Sequence, residues 1–154
     1  MPPLPPVSDS VELVFRAMKL VADGLPLCGS DRRTLGVKQG APPEGDIPIQ
    51  TDGTVAPSTG GLSVAPVSPR NLPKHRRPPE FGGEGRDPIF YFDLSNIEGS
   101  GIAFRRDRPE HGLIEPDSEM TFESFQGMIY QTRKQWRKFE CQNNSTDTGN
   151  CKNA

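Results

Sequence analysis

Arg16, Ser63, His111, Glu115 and Glu123 have the side-chain types that bind anions and move protons. A guanidinium is a fork of donors, a hydroxyl both donates and accepts, an imidazole exchanges protons near neutrality, and a carboxylate accepts. None of them sits in a standard signature: no GxSxG, HExxH, phosphate loop or GxGxxG occurs. Ser63 stands in "STGGLSV", 58–64, a run of small residues in which Gly60 and Gly61 carry no Cβ. His111 opens "HGLIEP", 111–116, which also holds Glu115. Each residue also admits a purely structural account. Arg16 would be a surface strand arginine, Ser63 a turn hydroxyl bonded to nearby backbone, and His111 a solvated imidazole. Glu123 would answer a helix dipole, Glu115 would face solvent, and Gly60 and Gly61 would be turn residues. Only the ordered set points to a site, and the fold must assemble it from an early, a middle and a late segment.

The elements that must position these residues follow from periodicity and punctuation. In "VELVFRAM", 11–18, Val11, Leu13 and Phe15 alternate with Glu12, Val14 and Arg16, the pattern of a strand with Arg16 on its less apolar face. Val11, Val14, Phe15 and Met18 also fall at helical spacing, with Asp9 and Glu12 placed as a capping box, so periodicity alone leaves both open. From Asp23 to Arg70, Gly and Pro recur every few residues, and "IPIQ" and "GLSVAPV" predict short strands joined by loops. Residues 68–88, which include "KHRR" and His75, lack apolar periodicity and predict an exposed, mobile, solvated loop. "PIFYFDL", 88–94, is the clearest strand, with "GIAFRRD" as its hairpin partner and "HGLIEP" as a third strand, together an antiparallel meander. Phe122, Phe125, Ile129, Thr132, Trp136 and Phe139 recur at three- and four-residue steps and predict one amphipathic helix from Thr121 to Phe139, capped by Thr121. The Pro-rich residues 1–8 predict a flexible extension and 141–154 a disordered polar tail, bounding a domain over 9–140.

Composition excludes several classes. A chain of 154 residues, 32% hydrophobic with 17 Pro and 16 Gly, builds one modest core and no long helical bundle. Eighteen basic against 20 acidic side chains leave a net charge of −2, which argues against global attraction to nucleic acid or an anionic membrane, so any basic surface must be local. Cys28, Cys141 and Cys151 form no CxxC pair and have no His at ligand spacing, which leaves a zinc site unsupported. The odd count leaves at least one thiol unpaired; Cys141 and Cys151 either close a small loop under oxidising conditions or stay reduced. The amino terminus lacks the basic start and apolar run of a signal peptide, and no span of about 20 apolar residues occurs. A soluble protein outside classical secretion is expected, with the sequons at Asn143 and Asn144 accidental.

Read in order, the motifs give a resemblance. "VFRAM" is similar to an aromatic-Arg-Ala opening strand, "STGGLSV" to a "DTGGTSV"-like turn, "HGLIEP" to a His-x-x-Ile-x-Pro segment, and "RKQW" to a closing "RxQW", with Met120, Glu123 and Gly127 in register between them. Over roughly residues 11–137 the chain resembles the type VI secretion effector toxins whose fold is related to ADP-ribosyltransferases, a family also represented in fungi. The resemblance favours the strand reading of 11–18. It implies an α+β, ADP-ribosyltransferase-like fold in which two small antiparallel sheets form a cleft and the C-terminal amphipathic helix packs against them. It also implies NAD as co-substrate, with the nicotinamide–ribose bond broken through an oxocarbenium-like state and ADP-ribose passed to a macromolecular target. By the same resemblance Arg16 would pair with phosphate or ribose oxygens, Ser63 would orient the acid or line the nicotinamide pocket, Gly60 and Gly61 would let backbone approach the ligand, and His111 would act as donor or base. Leu62 replaces a hydroxyl residue of many relatives, and no paired acids occur; Glu115 and Glu123 are both candidates for the acid.

The leading expectation is therefore a mono-ADP-ribosyltransferase toxin domain acting in a cytoplasm, reached without a classical signal peptide, with an inhibitory or immunity protein over the cleft and no membrane partner. A displaced acid would favour an NAD glycohydrolase. Alternatives of other classes are a non-catalytic nucleic-acid-binding module using the basic residues 70–77 and the cationic helix end, and a catalytically dead interaction domain on the same fold.

Overall fold

The computed structural model describes residues 12–139. The expectations for the Pro-rich extension, Val11, the polar tail with Cys141 and Cys151, and the sequons lie outside the described residues. The chain forms β1 (Leu13–Ala17), β2 (Thr54–Val55), β3 (Leu62–Pro66), β4 (Ile89–Asp93), β5 (Ile102–Arg108), β6 (His111–Pro116), β7 (Met120–Thr121), α1 (Phe122–Gln131) and β8 (Arg137–Lys138). It is a mixed α+β architecture. One six-stranded sheet has the order β5-β6-β3-β1-β4-β8, and β2 and β7 pair as a separate ribbon. Every recorded strand pair is antiparallel.

The sheet carries a core on each face, which explains the near-continuous apolar run of β1. Val14, Leu62, Val64, Phe90, Phe92 and Ile114 pack with Phe122, Phe125 and Ile129 of α1 and with Trp136. Phe15, Ala65, Leu72 and Ile89 form a second cluster with Phe81, Tyr91 and Phe139. Neither face of β1 is open to water, so Arg16 does not lie on an exposed, less apolar face; it is 6% exposed.

The middle strand divides the sheet. Leu62, Ser63 and Val64 of β3 pair with Ile114, Leu113 and Gly112 of β6, whereas Ala65 and Pro66 pair with Phe15 and Val14 of β1. Pairing thus passes from one neighbour to the other between Val64 and Ala65, and beyond Phe15 the ladder between β1 and β3 stops. Arg16 and Ser63 sit at that opening. The expected pair of small sheets is therefore one sheet split along β3, with a short ribbon beside it.

Two further expectations need correction. The partner of β4 is not β5: β4 lies between β1 and β8, while β5 pairs only with β6 at the far edge. A 3₁₀ turn over Leu94–Ile97 and a positive-φ Gly99 and Gly101 carry the chain away instead of folding it into a hairpin. The helix stops at Gln131. Thr132 Oγ1 donates to the Ile129 carbonyl at 2.6 Å and accepts from Trp136 Nε1 at 2.9 Å, and a 3₁₀ turn over Arg133–Gln135 leads into β8. Trp136 still returns to the first core, stacked on Phe92 with centroids 5.1 Å apart, which is why the helical spacing continues past the helix. Phe139 crosses to the second core, edge-on to Phe15 at 5.6 Å.

Candidate functional site

Residues from all three segments meet at the split. A cavity of about 270 Å³ is lined by Arg16, Ser63 and His111 together with Arg32, Asp46, Leu72, His75, Arg76 and Arg108. The early strand, the glycine-turn strand and the late hairpin thus supply a guanidinium, a hydroxyl and an imidazole to one hollow.

Arg16 fills the gap left by the interrupted ladder. Its Nε and one terminal nitrogen donate to the Thr34 carbonyl at 3.1 and 2.8 Å, and the other terminal nitrogen donates to the Ser63 carbonyl at 2.8 Å. A longer 3.4 Å contact reaches the Asp31 carbonyl. Burial pushes its pKa down to about 10; Arg76 adds to this, while Asp46 and Asp31 offset part of it. Carbonyl dipoles thus satisfy most donors of this buried cation, with no direct carboxylate partner among the described residues. Ser63 bonds Arg16 through its carbonyl, and its hydroxyl has no hydrogen-bond partner among the described residues. His111 is positioned by Asp107, whose Oδ1 lies 2.7 Å from Nδ1. Burial raises the Asp107 pKa, but the hydrogen bond and charge of His111, its own backbone and Arg108 outweigh it and leave the carboxyl below its ordinary value.

The two expected acids are elsewhere. Glu115 is 7% exposed, receives Arg105 Nε at 2.8 Å and the Ser58 backbone N–H at 3.0 Å, and does not line the cavity. It holds the turn before β3 against the β5–β6 hairpin. Glu123 is exposed in the first turn of α1, outside the cavity, as a dipole partner would be. The one carboxylate on the lining is Asp46. Its side chain accepts the Lys38 N–H at 2.8 Å, its own N–H donates to the Lys38 carbonyl at 2.8 Å, and its carbonyl accepts the Gly61 N–H at 2.9 Å.

That last contact accounts for the glycines. A Cβ on Gly60 would stand 2.2 Å from the Asp46 carbonyl oxygen, and one on Gly61 would stand 2.3 Å from that of Ile114. Neither glycine lines the cavity. They make room for backbone, bringing the 46–47 segment and β6 against the start of β3, and so set Asp46 near Ser63.

The basic 68–88 segment also differs from expectation. It packs against the second core through Leu72, 6% exposed, and contains 3₁₀ turns over Pro69–Asn71 and Pro79–Phe81. Arg76 donates to the Ala17 and Arg32 carbonyls at 2.7 and 2.8 Å and to Asp87 at 3.2 Å, making this segment a wall of the cavity. Nothing in the sequence marked Asp46, Arg32 or Arg108 as belonging to a site; Arg76 stood out only within the basic stretch 70–77, as a phosphate contact of the nucleic-acid alternative.

Among the described residues no group of three or more His, Cys, Asp or Glu could hold a metal, and no helix is long and apolar enough to cross a membrane. Cys28 is a free thiol, half-buried, with burial raising its pKa and Arg133 opposing the rise. The chain matches no protein-family model and has no match among curated proteins.

Proposed function

We propose that the cavity binds NAD and that the domain cleaves the nicotinamide–ribose bond, as a mono-ADP-ribosyltransferase toxin of the type VI effector kind on an ADP-ribosyltransferase-like fold. The observation that carries this reading is the meeting of Arg16, Ser63 and His111 on one hollow whose rim and wall add Arg32, Arg76 and Arg108. Arg16, Arg32 and Arg108 against one carboxylate suit a ligand with a pyrophosphate, Arg76 being paired with Asp87. The cavity volume of about 270 Å³, below the roughly 300–1,000 Å³ of ligand pockets, suits the nicotinamide riboside half alone, with the remainder lying across the mouth. The free Ser63 hydroxyl and the Asp107-oriented His111 are then the polar groups that fix the ring and the ribose. A sheet split beside a buried arginine supports the fold assignment as well.

The nucleic-acid reading draws less support. Within the basic stretch Lys74 pairs with Glu84 at 3.6 Å and Arg76 with Asp87 at 3.2 Å, and Arg133 after the helix pairs with Asp23 at 2.9 Å. Those charges are neutralised within the chain, which weakens a phosphate-binding surface.

The test is incubation of the purified chain with NAD labelled in its adenylate half, with and without cell lysate, following free nicotinamide and label on macromolecules. Release with label transfer is expected; release with label left on free ADP-ribose identifies a glycohydrolase, and no release overturns the reading. Ser63→Ala and His111→Ala are expected to lower release about 10–100-fold without unfolding the chain, because neither side chain supports a buried backbone group.

A further inference from the structure

We infer that Asp46, and not Glu115 or Glu123, is the carboxylate that acts on the scissile ribose, an inference that rests on reading the cavity as an NAD site. Glu115 is committed to Arg105 and the Ser58 N–H, and Glu123 lies outside the cavity. Asp46 is the one acid on a lining otherwise rich in cations.

Asp46 is anchored at Gly61, two residues before Ser63, whose carbonyl accepts from the Arg16 guanidinium. A ligand in the hollow therefore meets the carboxylate and the guanidinium groups close together, the carboxylate suited to a cationic nicotinamide riboside and the guanidinium groups to its phosphates. The Asp46 side chain spends Oδ2 on the Lys38 N–H, while Oδ1 has no hydrogen-bond partner among the described residues.

One carboxylate is also the number that this chemistry needs. Ordinary glycoside cleavage uses two, since its leaving oxygen must be protonated. The nicotinamide ring of NAD is already a cation, so when the C1′–N bond breaks the electron pair returns to nitrogen and the ring departs neutral, with no proton donor required. Positive charge passes to the ribose C1′ and ring oxygen, where Asp46 offsets it. The new C1′–O bond then forms from water or a hydroxyl of the target, whose proton passes to the carboxylate and on to solvent.

The experiment measures nicotinamide release from NAD by the wild-type chain and by Asp46→Asn, Asp46→Glu and Glu123→Gln. Asn keeps an oxygen for the Lys38 N–H and so separates the charge from the turn it supports. We expect Asp46→Asn to lose about 100-fold or more in kcat with KM changed less than about threefold, and Asp46→Glu to recover at least a tenth of wild-type kcat. Equal losses in the Asn and Glu variants would assign Asp46 a merely structural role and overturn the inference, as would a wild-type kcat in Asp46→Asn or a loss confined to Glu123→Gln. If the wild-type chain itself releases no nicotinamide, the NAD reading falls and this inference with it; turnover that survives Asp46→Asn removes the inference alone.

Discussion

Arg16 shows how one buried residue serves structure and chemistry together. Its Nε–H and three of the four terminal N–H donors are directed to carbonyls that the interrupted β1–β3 ladder and the 31–34 turn leave over. What remains for a ligand is its charge and one N–H, so Arg16→Ala would strand those carbonyls and confuse folding with function. His111 offers a cleaner handle. With Nδ1–H donating to Asp107 Oδ1 at 2.7 Å, the neutral ring keeps its lone pair on Nε2. Asp107→Asn can present its amide N–H₂ to Nδ1 and so favours the opposite tautomer. Nitrogen chemical shifts of the His111 ring are expected to report Nδ1–H in the wild-type chain and a shift toward Nε2–H in Asp107→Asn, with Tm changed by no more than a few degrees because both side chains are partly exposed; unchanged ring shifts would show that Asp107 does not set the tautomer. Arg16, Ser63 and His111 were legible as a set through the order of their motifs. Asp46 was not, because its position depends on residues 38–46 doubling back, with the Asp46 N–H donating to the Lys38 carbonyl and the Lys38 N–H to the Asp46 side chain, and on one contact to Gly61, and no periodicity encodes such a loop.

At the scale of elements, two glycines of the motif set make opposite demands. A Cβ at Gly61 would press on the Ile114 carbonyl and the Glu115 Cα, both backbone, so β3 and β6 would have to part at the edge of the cavity. Gly127, inside α1, has nothing within 4 Å of a Cβ. Chemical denaturation should therefore show Gly61→Ala destabilised by about 2–3 kcal/mol and Gly127→Ala stabilised by about 0.5–1 kcal/mol through helix propensity. A neutral Gly61→Ala would mean that the strands separate freely and that the glycine is not needed for their approach. β4, β6 and the start of α1 were readable because alternation, aromatic content and the Thr121 cap are local signals, whereas the periodicity of β1 fitted strand and helix alike and only the resemblance favoured the strand. Strand order was not: β4 joins β1 and β8 across long stretches of chain, a pairing chosen by which faces need covering and not by neighbouring sequence. The helix end was hidden because Trp136 reaches the same core from a 3₁₀ turn as it would have from a longer helix.

For the molecule as a whole, the cavity exists because a segment without regular strands is tied down beside the sheet. Asp87 is the knot. It receives Arg33 Nε and NH2 at 2.7 Å each and Arg76 at 3.2 Å, while Arg76 also grips the carbonyls of Ala17 and Arg32. The end of β1, the 31–35 turn and the basic wall are thereby joined through a carboxylate that is itself 7% exposed. The Arg33 hydrogen bonds, with help from the charge of both arginines, outweigh burial and hold the Asp87 carboxyl below its ordinary value. A depressed acid stabilises the fold fully above the unfolded carboxyl value, about 3.9, and loses that contribution as pH falls through the lower folded value. Asp87→Asn should then cost about 1–2 kcal/mol at pH 7, less than a fully buried pair would, because Arg33 is half exposed and solvent screens it. Thermal unfolding from pH 7 to pH 2 should show the Tm gap between wild type and Asp87→Asn constant down to about pH 4 and closing below it, as the wild-type carboxylate takes up the proton that the amide never held. A gap that stayed constant through pH 2 would trace the loss to packing instead, and the wall of the cavity would then owe its position to Leu72 and its neighbours more than to the ion pairs.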